Sequence, residues 1–243
     1  METNFNELDA DKILGTLTTL QTRIEERFPG SGLSRLCKQF TIAASELKEI
    51  ANRINKPYYG LRLLITLVVI GLLIFLVLTG INSYKEAIIN NTQLVNHLNP
   101  TVLFSTIESI INDLIFVSLA IYFLYSIEIR IKRKTTLNAL HHLRNLAHII
   151  DMHQLTKDPI IITHPQPTLS SPKRLMTPFE LERYLDYCSE MLSIISKIGA
   201  LFSQNLPDDI INRHVNDLND LTQGLSAKIW QKIMIMDDEV ENN

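Results

Sequence analysis

The sequence predicts an all-α protein: a two-helix transmembrane hairpin joined to a cytoplasmic antiparallel helical bundle with long heptad-patterned helices. Three observations carry that expectation. Leu63–Ile81 is a run of 19 residues without a charge, about 28 Å of helix against the ~30 Å hydrocarbon core of a bilayer. A second apolar stretch, Leu114–Ile127, is followed at once by Arg130, Lys132, Arg133 and Lys134. Elsewhere apolar residues recur at three- and four-residue steps. The 243 residues hold only eight glycines and nine prolines, so few positions can break a helix, and β-type alternation is hard to find.

The first part, residues 1–57, reads as two amphipathic helices. One runs from about Asn6 to Phe28, with Ile13, Leu17, Leu20 and Ile24 on one face, and ends at Pro29-Gly30. The other runs from about Leu33 to Asn55, with Leu33, Leu36, Phe40, Ala43, Leu47, Ile50 and Ile54 along one side. Pro57-Tyr58-Tyr59-Gly60 then makes a hinge, its tyrosines suited to headgroup depth.

The hairpin occupies 58–130, with spans at about 62–82 and 108–129 and an external loop at about 83–107. The first span starts too far from Met1, and is too long, for an ordinary signal peptide. The second apolar core covers only about 21 Å, so it needs Asn112 and Asp113, or Glu128, to cross. Lys48, Arg53, Lys56 and Arg62 precede the first span and the basic cluster follows the second, while the loop holds only Lys85 among Lys and Arg. The positive-inside rule then places both termini in the cytoplasm and the cluster against anionic lipid headgroups. Asn90-Asn91-Thr92 in the loop is formally a glycosylation acceptor, a triplet common by chance.

Under this topology Asp113 lies at or inside the membrane edge, with Asn112 beside it and Glu108 in the outer headgroups. An ionisable group there is a functional hypothesis. It fits local pairing with Lys85, Thr79 or Asn82, an ion or proton path, or a polar contact between protomers.

The cytoplasmic helical domain, 131–243, opens with a helix to about residue 155. Leu140, Leu143, Leu146, Ala147 and Ile150 form its apolar side. His141, Arg144, His148 and Asp151 fall within about an 80° arc and form a polar stripe. His141 and His148 are two turns apart and cannot share one metal ion. The stripe also lacks a nucleophile and a second carboxylate in register. It reads as a polar seam, a solvated face, or a ligand or partner contact, with Arg144 suited to phosphate or carboxylate. A proline-rich crossover follows at 156–177, where Lys173 and Arg174 are further headgroup candidates.

A helical hairpin fills 178–236. Thr177-Pro178-Phe179-Glu180 spells a capping box with proline at the first helical position. Leu181, Leu185, Cys188, Leu192, Ile195, Gly199 and Phe202 then keep a seven-residue repeat. Pro207-Asp208-Asp209 opens the last helix, lined by Ile211, Val215, Leu218, Leu221 or Thr222, Leu225, Ile229 and Ile233, with Trp230 adding bulk. The tail DDEVENN is expected to fray.

A net charge of −3 gives no global electrostatic case for nucleic-acid binding. Cys37 and Cys188 match no metal or redox spacing and read as packed free thiols. No metal or other cofactor is expected, and no enzymatic activity.

Three stretches, HHLRNLAHIIDMHQLTKDP (141–159), YLDYCSEMLSIISKIGALF (184–202) and GLSAKIWQKI (224–233), together resemble a group of small bacterial two-span inner-membrane proteins. The resemblance covers roughly residues 60 to 236. It implies a multi-pass protein of the bacterial inner membrane and transfers no role to any residue. The expected function is a self-associating, membrane-anchored helical interaction or regulatory module, with lipids and a cytoplasmic protein as partners. The alternative is an oligomeric pore-forming or membrane-disrupting effector gated by its cytoplasmic bundle.

Overall fold

The computed structural model describes residues 7–91, 100–157 and 176–241. All regular structure among them is helical: α1 (Ala10–Arg27), α2 (Gly32–Asn55), α3 (Tyr59–Asn91), α4 (Pro100–Leu155), α5 (Pro178–Asn205) and α6 (Asp209–Glu241). The crossover at 158–175, with Lys173 and Arg174, and Thr92 of the acceptor triplet lie outside the described residues.

Helix ends follow local chemistry. α1 begins at Ala10, later than its periodicity suggested, because the Asp9 carboxylate accepts the Asp11 and Lys12 N–H groups and fixes the start there. Ser31 caps α2 through Ser34 N–H. Thr177 and Glu180 form the reciprocal capping box that the sequence spells. Three helices outrun their expected limits, α4 starting at Pro100, inside the loop expected at about 83–107. α3 continues to Asn91, with no glycine or proline after Gly80 to stop it, and α6 continues to Glu241 through the tail expected to fray.

The chain divides into two compact units, one formed by Met1–Lys56 with Arg133–Asn243 and the other by Pro57–Lys132. In the first, α5 is buried on nearly every side, from Leu181 through Phe202. α1 and α2 pack against it, and α6 lies along it antiparallel after the turn at 206–208. Gly199 allows that close approach: a Cβ there would stand 2.8 Å from Leu218 Cδ2. Leu140, Leu143, Ala147 and Ile150 of α4 enter the same core. Phe28, at the end of α1, meets Tyr184 and Tyr187 edge-on at 5.7 and 6.3 Å. Trp230 is turned out instead, 52% exposed, while Ile229 and Ile233 beside it are buried.

In the second unit the helices run side by side. The half-buried positions of α3 are Leu61, Ile65, Val69, Leu72, Leu76 and Thr79, and those of α4 include Val117, Ala120, Leu124 and Ile127. These three- and four-residue steps trace one seam per helix. Outside it the apolar side chains are open, including Leu64, Leu67, Phe75, Phe116 and Phe123. Two helical stretches are long and apolar enough to cross a membrane, and none of the first one's apolar window is buried.

Candidate functional site

Three groups of polar side chains stand out. The tightest lies in the second unit around Glu128. Its carboxylate accepts Arg62 Nε at 2.8 Å and the Tyr58 backbone N–H at 3.4 Å. Lys132 Nζ lies 3.0 Å away, one helical turn along, and 5.2 Å from the centre of the Tyr58 ring. Glu128 and Lys132 side chains are each only 11% exposed, whereas Arg62 is 57% exposed. The start of α3 is thus tied to α4 by one nearly enclosed carboxylate. The only local hint in the sequence is Glu128 four residues before Lys132; Arg62 is 66 residues distant.

The basic cluster therefore divides. Lys132 belongs to the Glu128 group. In the first unit, Arg133 donates to Asp208 at 3.0 Å from Nε and 2.6 Å from Nη2. Asp208 also accepts the Ile210 and Ile211 N–H groups at the start of α6. Burial pushes the Asp208 carboxyl up, but Arg133 and these two N–H groups outweigh it and hold it below the usual carboxylate range. Arg130 and Lys134 are exposed, the Arg130 guanidinium 5.8 Å from the Phe123 ring.

The stripe on α4 is drawn apart by its surroundings. The His141 ring lies 6.0 Å from that of His214 on α6, and Arg144 Nη2 is 3.8 Å from Asp217. His214 Nδ1 is 4.0 Å from the same carboxylate. Farther along, Asp151 accepts from the Gln154 amide, and His148 is exposed. His214 and Asp217 complete the first cluster and were not singled out in the sequence, where a helical i, i+3 pair is too common to signal anything. These contacts are long and solvent-facing, so each contributes under about 1 kcal/mol to the fold. Among the described residues no three His, Cys, Asp or Glu side chains are grouped to hold a metal ion. The arrangement sets imidazole, guanidinium and carboxylate side by side across α4 and α6.

At the end of α4, Lys232 of α6 donates to the Gln154 backbone carbonyl at 3.1 Å and to its side-chain oxygen at 2.6 Å. A cation thereby meets the carbonyl end of the helix, where the dipole favours it. His153, nearby, is held below the ordinary imidazole range by burial and by Lys157 and Arg35.

The third group is in the second unit. Asp113 lines a cleft of about 410 Å³ with Leu72, Phe75, Thr79, Phe116 and Ala120. Thr79, expected as a partner, instead donates its hydroxyl to the Phe75 and Leu76 carbonyls of its own helix. Asn112 and Glu108 are exposed.

Both cysteines are free and buried. Burial pushes the Cys37 and Cys188 thiols up to about 12.

No protein-family model, curated protein or solved structure matches the chain.

Proposed function

We propose that this chain is a two-span protein of a bacterial inner membrane, with both termini and a helical bundle in the cytoplasm. It acts there as a self-associating interaction or regulatory module. The observation that carries the reading is the contrast between the two units. One buries its apolar residues in a shared core, and the other leaves a continuous band of Leu, Ile, Val and Phe uncovered along two paired helices. Soluble surfaces rarely expose a patch of that extent, and lipid covers it without cost. Lys and Arg cluster at one end of this band, with Lys85 alone at the other, and that asymmetry supports the cytoplasmic assignment. Arg130 and Lys134 engage headgroups at ~1 kcal/mol each.

The stripe from His141 to Asp151, with His214 and Asp217, is the surface offered to a cytoplasmic partner. Reporter fusions at both ends test the topology: an external signal from either one sinks it. Crosslinking from Asn145→Cys in intact membranes tests the partner contact. One captured species that disappears in the His148→Ala, Asp151→Ala double variant is the expected result.

Asp113 beside an open cleft favours a second reading, an oligomeric pore. Overexpression that depolarises cells, with the effect changed by Asp113→Asn, selects it over the interaction module.

A further inference from the structure

Asn112 and Asp113 are polar neighbours on a helix that is otherwise apolar at that level. Asp113 lies 15 residues before Glu128 on α4, about 22 Å along its axis. If the Arg62–Glu128–Lys132 group marks one boundary of a ~30 Å hydrocarbon core, Asp113 stands roughly 8 Å inside the other. Glu108, about 30 Å from Glu128, reaches the opposite headgroups. Asp113 also continues the α4 seam, one turn before Val117, and so opens onto the cleft beside Thr79 and Phe116.

Among the described residues of this helix pair, none satisfies the carboxylate. The Thr79 hydroxyl is committed to its own helix. Lys85 lies about 9 Å farther along α3, and no ion pair joins it to Asp113. Among the described residues, neither Asp113 nor Asn112 has a hydrogen-bond partner. In hydrocarbon, where water is absent, a carboxylate and a carboxamide both require one. With no donor among the described residues of the pair, a donor from outside it at the same depth answers the need of Asp113.

Asn112 has that chemistry and that depth. Its amide carries two N–H donors and sits only about 1.5 Å from Asp113 along the axis. A two-fold axis along the membrane normal preserves depth and makes contacts reciprocal: residue i meets residue j, and j meets i. We infer that a second copy of this chain docks on the Asn112–Asp113 edge of α4, each copy's Asn112 amide donating to the other's Asp113 carboxylate. On the same edge α4 presents Phe116, Leu119 and Phe123, all exposed, for apolar contact between copies. This pairing presupposes the membrane reading proposed above and gives its self-association a specific seam.

Disulfide trapping of the full chain in phosphatidylcholine–phosphatidylglycerol vesicles tests the pairing. The native cysteines are buried and leave the probe positions free to report. Phe116→Cys is expected to crosslink between copies and Ser118→Cys, on another side of α4, to do so far less. Adding Asn112→Leu or Asp113→Leu to the Phe116→Cys chain should weaken crosslinking by about five- to thirtyfold, the range of one or two interhelical hydrogen bonds. Asp113→Asn, which keeps an acceptor, should largely retain it. Mixing the two leucine variants restores one Asn112–Asp113 bond per dimer, so partial recovery on mixing is the diagnostic result.

Undiminished crosslinking in either leucine variant, or no recovery on mixing, overturns the inference. So does capture of a basic helix of another protein in place of a second copy. Alkaline extraction separates the two levels. Chains that stay in the membrane pellet yet associate independently of Asp113 sink this seam alone, whereas chains that leave the pellet sink the membrane reading with it.

Discussion

Arg62 and Glu128 stand 66 residues apart in the chain and meet through an Nε–H donated to Oε2 at 2.8 Å. Because Lys132 shares the same carboxylate and is nearly enclosed, the two partners of Glu128 are unequal. Replacing Glu128 by Gln leaves Lys132 facing a neutral amide in a mostly desolvated place, whereas Arg62→Gln leaves the Glu128–Lys132 pair in contact. Hydrogen exchange over residues 57–66 should therefore accelerate strongly in Glu128→Gln and only slightly in Arg62→Gln. Equal protection in both variants would contradict the grouping.

Asp208 combines a helix cap with an ion pair, and its side chain is 10% exposed. Asp208→Ala should cost about 1–3 kcal/mol in denaturant unfolding of the first unit, followed in the full chain. The pH dependence follows from the depressed carboxyl. A group whose folded-state value lies below its unfolded value of about 3.9 contributes fully above that value. Its contribution is lost as pH falls through the lower, folded value. Wild type should thus lose stability more steeply than Asp208→Asn below about pH 4. Parallel acid profiles would argue against the pairing.

Two helical glycines should respond oppositely to the same change. A Cβ on Gly224 meets nothing within 4 Å, while one on Gly199 meets Leu218 at 2.8 Å in the core. Gly224→Ala is expected to stabilise by roughly 0.5–1 kcal/mol through helix propensity alone. Gly199→Ala gains the same propensity but overpacks the α5–α6 contact, at about 1–3 kcal/mol, and should be net destabilising. Thermal unfolding of the two variants side by side decides it, and a stabilised Gly199→Ala would show that the contact is looser than described.

The two thiols provide a chemical test of the core. With both raised to about 12 by burial, the thiolate is scarce at pH 8 and alkylation by iodoacetamide should be slow in the folded chain. Both should react together once denaturant opens the α2–α5 packing. Fast labelling of either one in the native state would place it outside the core.

Periodicity was a sound guide wherever a helix has one partner side. Ile13, Leu17, Leu20 and Ile24 of α1, and Leu143, Ala147 and Ile150 of α4, are buried as their spacing implies. On α2 Leu33, Leu36, Phe40, Leu47 and Ile54 are buried as expected, and the arc widens by one residue: Ala44 and Ala51 are buried too, while Ala43 and Ile50 are partly buried against the core. On α5 the heptad showed only part of the truth: Tyr184, Tyr187, Met191, Ile194 and Leu201 are buried as well. A single stripe cannot reveal a helix enclosed on several sides. Pairings between distant residues, such as Arg62 with Glu128 or Lys232 with Gln154, leave no periodic trace. The candidate stripe was legible as a set on one helix, but its division between His214, Asp217 and Gln154 depends on what α6 and the end of α4 bring to it.

The enclosure of α5 also sets a timetable for synthesis. α1 and α2 end at Asn55, and the helix they pack against begins at Pro178. At translation rates of about 5–20 residues per second, some 6–25 s separate the two. Throughout that interval Leu17, Ile24, Leu33 and Phe40 lack the helix they pack against, while the chain between is being made. Among the helices that share this core, α1 and α2 are thus the ones that wait longest for it, and that waiting period is when a chaperone has most to protect.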